Sequence, residues 1–248
     1  METADSPSAP ARRVAFFGGS FDPPHLGHLA VARAARAALE LDTVLFAPVG
    51  AQPLKTQGST ASYKDRLRMT RLAIAGEPGF EVSPVDAPKP SGEPNYTLET
   101  LEALRRELGG GCLLFFLMGE DSFLALRKWH RAAEIPFAAP LIVASRPDQN
   151  MDGVKAALPA GLTMYPAPVR DETHNGVEVR TFLITNQVGE RAMFYLLPGL
   201  DVRISASEIR EGIRGEMHAG MRTEMENASR ELVPEGVAEY VLAHGLYR

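Results

Sequence analysis

Gly18-Gly19-Ser20-Phe21-Asp22-Pro23-Pro24-His25-Leu26-Gly27-His28 follows directly on the apolar run Val14-Ala15-Phe16-Phe17, and this junction decides the fold. The apolar run has the length and character of a buried strand. Gly18 and Gly19 then allow backbone angles and a close ligand approach that a Cβ would obstruct. From His25 to Leu39, Leu26, Leu29, Ala30, Ala34, Ala37 and Ala38 recur at helical spacing, so both histidines fall in the first helical turn. Free N–H groups at a helix start attract anions, and strand, glycine turn and helix start together read as a phosphate site. Gly18, Gly19, Ser20, Phe21 and Gly27 are its candidate phosphate-ligand-binding residues.

His25 and His28 are three residues apart and share one face of that turn, with Gly27 leaving room between them. Both imidazoles can donate to phosphate oxygens. A polyphosphate close by is expected to favour imidazolium, whose charge can follow charge developing on a transferring phosphoryl group. The same pair also fits a metal site with Asp22, although one carboxylate and no second histidine cluster make a poor structural zinc site. Solvated surface histidines are a third reading.

The eleven-residue string resembles the G-x-F-D-P-x-H-x-G-H signature of adenylyltransferases with a Rossmann-like nucleotidyltransferase fold, and the chain as a whole is most similar to the bacterial nicotinate-nucleotide adenylyltransferases. Further segments match in order over about residues 13–248. Phe46-Ala47-Pro48 to Pro53-Leu54-Lys55 is similar to the family's loop after the second strand, with Leu54 where the family usually carries histidine. The resemblance implies that Lys55 meets a phosphate, though a solvated lysine fits as well. Asn95-Tyr96-Thr97-Leu98-Glu99-Thr100-Leu101 is similar to the family's Tyr-Thr segment, whose backbone reads the pyridine ring and its carboxylate. Thr97 is also a plausible N-cap for a helix carrying Leu98, Leu101, Leu104 and Leu108 and stopped by Gly109-Gly110-Gly111.

Cys112-Leu113-Leu114-Phe115-Phe116-Leu117-Met118 reads as a buried central strand ending at Gly119-Glu120-Asp121. The resemblance implies that Gly119 and Asp121 meet the nucleotide, that Trp129 stacks on the pyridine, and that Asp22 and Arg146 join the mononucleotide site. A lone tryptophan is otherwise commonly core or rim. Arg146, after Leu141-Ile142-Val143-Ala144-Ser145, is either a phosphate fork or a solvated charge. Ile204-Ser205-Ala206-Ser207-Glu208-Ile209-Arg210 resembles the family's I-S-S-T-x-I-R motif, with Ala206 and Ser207 as departures. In that motif Ser205, Ser207 and Arg210 would hold ATP phosphates, while Ser205-x-x-Glu208 is also a capping box.

With 248 residues, 45% of them hydrophobic, one large domain is expected. A single cysteine permits no internal disulfide and fits a reducing compartment. No secretory or membrane-spanning pattern is seen, so a cytoplasmic location is expected. A net charge of −5 argues against broad nucleic-acid binding. Residues 1–11 read as a disordered tail and 12–248 as one nucleotidyltransferase domain with expansions near 148–191 and 215–230. The first expansion is expected to be a hairpin-like excursion built on Val179 to Ile184 and Ala192 to Leu197. The second carries Met217, Met221 and Met225 at four-residue spacing, which suits a packing face or a homo-oligomer contact.

The expected fold is α/β: a doubly wound, mostly parallel sheet with helices on both faces. The expected reaction transfers AMP from ATP, with Mg²⁺, to nicotinate mononucleotide. Rival readings are nicotinamide mononucleotide or a pantetheine phosphate as acceptor, a non-catalytic nucleotide sensor, and, more remotely, a metallohydrolase.

Overall fold

The computed structural model describes residues 11–54, 58–145, 151–168, 172–200, 204–218 and 231–248. Residues 1–10 of the expected tail, Lys55, Arg146 and most of the 215–230 expansion lie outside the described residues.

The chain opens with β1 (Arg12–Gly19), α1 (Leu26–Ala38), β2 (Thr43–Pro48), α2 (Tyr63–Ala73) and β3 (Phe80–Val82). It then crosses back through α3 (Thr97–Leu108) to β4 (Cys112–Gly119). After α4 (Glu120–Ala125) and α5 (Ile135–Ala138) comes β5 (Leu141–Ala144), then α6 (Met151–Ala156), β6 (Thr163–Pro166), β7 (Glu172–His174), β8 (Val177–Thr185) and β9 (Arg191–Leu197). Two helices close the described chain, α7 (Ala206–His218) and α8 (Glu235–Ala243).

The strand order is β3-β2-β1-β4-β5-β9-β8-β6, with β7 pairing on β8. From β3 to β9 every pairing is parallel, and β1 lies between β2 and β4, with Val14 opposite both Thr43 and Leu114. This is the doubly wound α/β sheet that was expected. Its winding reverses at β1 and β4, and in such sheets ligands bind in the crevice beyond the strand ends at that reversal.

Side-chain alternation divides the core between two faces. Ala15 and Phe17 pack with Leu29, Ala32 and Ala35 of α1, Met69 of α2 and Val237 and Val241 of α8. Val14 and Phe16 face the other way, onto Leu98, Leu101 and Leu104 of α3 and Ile135 of α5. Both faces are therefore covered, as the near-continuous apolar strands require.

The expected excursion needs correcting. β8 and β9 do form an antiparallel hairpin, but β9 is also parallel to β5, with Leu141 opposite Phe194 and Ala144 opposite Leu197. Ala192, Phe194 and Leu196 alternate into the core, so the second arm of the hairpin is an interior strand of the main sheet. Only β6, β7 and β8 extend beyond it as an antiparallel edge. The alternation of apolar and polar residues in Arg191–Leu197 suits a strand buried on one side, and packing against β5 supplies the other neighbour.

Candidate active site

At the carboxyl ends of β1 and β4 lies a cavity of about 580 Å³. Gly18, Gly19, Ser20, Phe21, Asp22, His25, Gly27 and His28 form one wall. Gly119 and Asp121 from β4 and α4 line it, as do Tyr96, Thr97 and Trp129 on one side and Ser205, Ser207 and Arg210 on the other. Every sequence-derived candidate among the described residues therefore reaches one space. Residues 188 positions apart meet there, because Arg210 Nη1 donates to the carbonyl of Asp22 at 2.6 Å and Nη2 to Ser207 Oγ at 3.1 Å.

The two glycine positions at the strand ends differ in what requires them. A Cβ on Gly18 would stand 2.7 Å from the Phe16 ring, so the protein's own packing excludes it. At Gly119 a Cβ would meet nothing within 4 Å. Packing does not demand glycine there, and the bare backbone leaves open space facing the cavity.

His25 is the N-cap of α1, with extended backbone, and His28 is the third helical residue. The rings stack at 3.7 Å between centroids, and His28 also packs edge-on against Phe21 at 4.9 Å. The His25 backbone N–H donates to His28 Nδ1 at 3.2 Å. A neutral His28 that accepts at Nδ1 carries its proton on Nε2, so its tautomer is fixed by the helix start itself. The other ring keeps a buried Nδ1 with no hydrogen-bond partner among the described residues.

The imidazolium expected from sequence is that of rings beside a polyphosphate, and the protein's own surroundings push both rings toward the neutral form. Burial pulls the His25 pKa from 6.5 down to about 4, and burial together with the neighbouring His25 holds His28 well below its ordinary range. Two stacked rings in a desolvated turn cannot both be charged without anionic company. Protonating His28 at Nδ1 would also cost the bond from His25.

A stability consequence follows. Below pH 6.5 the unfolded chain binds protons that the folded histidines refuse, so stability is full above that value and declines as the pH falls toward 4. Each histidine contributes a slope of up to about 1.4 kcal/mol per pH unit in this window. Urea unfolding between pH 4.5 and 7 is expected to show the wild type losing stability faster on acidification than His25→Gln; parallel curves would contradict the assignment.

Asp22 lies on the cavity wall, but its carboxylate serves the framework. Oδ1 accepts from the Ala61 N–H at 3.0 Å and the Tyr247 hydroxyl at 2.8 Å, and Oδ2 from the Thr60 N–H at 2.6 Å. The Asp22 carboxylate is thus engaged in holding the turn, and the expected mononucleotide contact of Asp22 remains a proposal. Arg66 of α2 was not singled out from sequence. It is 2% exposed and donates to the carbonyls of Ser20 at 2.7 Å, Val49 at 2.8 Å and Ala61 at 3.3 Å. Its only sequence signal is a charge in a helix whose neighbouring Met69 and Ala73 are core residues.

Across the cavity the expected Thr97 cap is displaced by one position. Tyr96 is the N-cap of α3, Thr97 is its first residue, and the Tyr96 side chain makes no cap hydrogen bond. Tyr96 packs against His130, 4.4 Å between ring centroids, and the partly buried Trp129 leans on Phe116 at 6.2 Å. Asn95 fixes the approach to α3, accepting from the Ala51 N–H and donating to the Ala87 carbonyl. The cavity thus has an aromatic end beside one helix start and a basic, hydroxyl-bearing end at another. At the latter, Ser205 Oγ accepts from the Ser207 N–H at the start of α7, a cap bond to the second helical residue rather than to Glu208, whose N–H the expected capping box would use.

Residues 16–212 match the model of the Cytidylyltransferase-like family. A protein of Roseiflexus sp. (strain RS-1) described as "Probable nicotinate-nucleotide adenylyltransferase" is 35% identical over 235 residues, spanning 95% of this chain and 98% of its own. One of Thermomicrobium roseum with the same description is 37% identical over 236 residues, spanning 95% and 92%. In fold, the chain is similar to Plasmodium falciparum nicotinic acid mononucleotide adenylyltransferase complexed with NaAD. That match has a TM-score of 0.66 at 14% identity and covers 95% of this chain and 97% of the other.

Proposed function

From the premise that this chain belongs to the nicotinate-nucleotide adenylyltransferases, of the Cytidylyltransferase-like family, we propose how its residues divide the work of transferring AMP from ATP to nicotinate mononucleotide. The observation that carries the division is the make-up of the cavity. Its lining brings the histidine turn together with Ser205, Ser207 and Arg210 and with Tyr96, Thr97 and Trp129, and a phosphate passed from one nucleotide to the other would sit at the histidine turn.

ATP lies with its β- and γ-phosphates toward Arg210, Ser205, Ser207 and the start of α7, and its α-phosphate against the histidine turn. Gly18, Gly19, Ser20, Phe21 and Gly27 give the nucleotide its backbone cradle, with Gly119 and Asp121 toward the sugar. The mononucleotide places its pyridine between Trp129 and Tyr96, its carboxylate at the start of α3 beside Thr97. A helix start is positive and favours a carboxylate over a carboxamide, which supports the acid as acceptor. Lys55 and Arg146 remain candidates for the mononucleotide phosphate.

An oxygen of the mononucleotide 5′-phosphate attacks the α-phosphorus of ATP. A new P–O–P bond forms, the bond between the α-phosphorus and the bridging oxygen breaks, and pyrophosphate leaves with that electron pair. The attacking dianion needs no base and no protein nucleophile, so rate comes from in-line placement and charge neutralisation. His28 donates Nε2–H to a non-bridging oxygen of the α-phosphate, where charge shifts during transfer. Among the described residues no three His, Cys, Asp or Glu side chains converge as a metal site. Mg²⁺ is accordingly read as entering with ATP, as part of the substrate. No helix among the described residues is long and apolar enough to cross a membrane, and we place the reaction in the cytoplasm.

Pyrophosphate release from ATP and Mg²⁺ with nicotinate mononucleotide, nicotinamide mononucleotide and phosphopantetheine in parallel tests this reading. The acid is expected to exceed both others in kcat/KM. Preference for another acceptor would move the substrate and retain the chemistry, whereas ATP binding with no release from any acceptor would make the protein a nucleotide sensor.

A further inference from the structure

We infer that Tyr247, in the segment after α8, is a positioning residue for adenylyl transfer that acts through Asp22 on the turn bearing His25 and His28. The inference rests on the proposed division of roles, because it concerns how that turn is held.

The turn needs external anchors. Phe21 has a left-handed backbone, with φ of 48°, a conformation a side chain rarely adopts unless its surroundings hold it. Asp22 is 4% exposed and is the next residue. Its carbonyl takes the Arg210 guanidinium, and its carboxylate takes two backbone N–H groups and one hydroxyl, that of Tyr247 at 2.8 Å. The N–H groups belong to Thr60 and Ala61, just ahead of α2. Among the described residues Tyr247 supplies the one side-chain hydrogen bond to that carboxylate, from the segment after α8.

The C-terminal segment grips the turn at a second point. The Leu26 N–H at the start of α1 donates to the Leu232 carbonyl at 2.9 Å. Between these two anchors sits His25. Tyr247 itself is 4% exposed and left-handed, with φ of 64°, so its ring is held rather than resting on the surface. Burial and the nearby Asp22 carboxylate both push its phenol pKa up, which keeps the hydroxyl a donor at working pH. A buried tyrosine that meets a carboxylate two residues from the backbone of a phosphate turn has more to do than fill space.

Tyr247→Phe keeps the ring and removes only the hydroxyl. In the full-length protein it is expected to lower kcat about tenfold with each KM within twofold. The ring ¹⁵N resonances of His25 and His28 are expected to move while those of His174, on β7, do not. In an Asp22→Asn background the same substitution is expected to lower kcat less than twofold, because the two residues act as one unit. A kcat per folded molecule within twofold of wild type, or losses that multiply in the double variant, would overturn the inference. If the wild type releases no pyrophosphate with any acceptor, the catalytic reading fails by itself. The histidine resonances then still decide whether Tyr247 holds the turn, and unmoved rings would overturn it.

Discussion

His28→Ala is expected to lower kcat for pyrophosphate release by about 10²- to 10³-fold, or about 3–4 kcal/mol of transition-state stabilisation, with KM for each substrate within a few-fold. The magnitude is that of removing one preorganised donor from a reacting oxyanion, and the preorganisation is visible in the free protein. Nδ1 is held by the His25 N–H, the ring is packed against Phe21 and His25, and its low pKa leaves a neutral ring with the proton on Nε2. Such a donor need not reorient as charge shifts. A neutral donor also predicts that kcat does not fall as the pH rises through 6.5, whereas a catalytic imidazolium would lose rate there. The alanine variant leaves a gap beside Phe21, so its thermal midpoint should be measured alongside and rates expressed per folded molecule. Turnover within tenfold of wild type would remove His28 from the reaction.

How far the site was legible depended on how local each cause is. The run from Val14 to His28 could be read directly because strand, turn and helix start follow one another and the chemistry lies in the junction. Ser205 to Arg210 came from the family resemblance, its local pattern announcing only a helix start with a hydroxyl cap. For Asp22 the resemblance implied a mononucleotide contact, and its framework role did not show in the sequence. Its actual partners, Thr60, Ala61 and Tyr247, are distant in sequence and two of them donate through backbone N–H groups, which no side-chain pattern announces. Thr97 lost the cap position to Tyr96 because the approach from Asn95, pinned to Ala51 and Ala87, sets where α3 begins, and this outweighs the intrinsic preference for threonine. The strand Arg191–Leu197 looked like one arm of an excursion because its sequence specifies an alternating strand but not its second neighbour; the register with Leu141–Ala144 does that.

Arg66 is the case in which burial most contradicts residue type, and Arg66→Leu carries the largest expected loss of stability. Its guanidinium satisfies the Ser20, Val49 and Ala61 carbonyls at once and lies in the field of the Asp22 carboxylate. Leucine fills part of the volume but leaves these carbonyls and a buried anion without their cation. Charged hydrogen bonds are worth about 1.5–3 kcal/mol each, and because the three share one group they do not simply add, so a total of about 3–5 kcal/mol is expected. For a chain of this size that is a fall in Tm of roughly 10–15 °C. Arg66→Lys should recover little, since a single ammonium cannot span carbonyls on three separate segments. The site should suffer beyond the loss of folded protein, because Ser20 and Ala61 are the residues through which β1, the histidine turn and the start of α2 are tied together. Thermal unfolding with kcat measured well below the midpoint separates the two effects. A Tm within 3 °C of wild type would mean that water can replace the guanidinium, and Arg66 would then not be what holds the phosphate turn to α2.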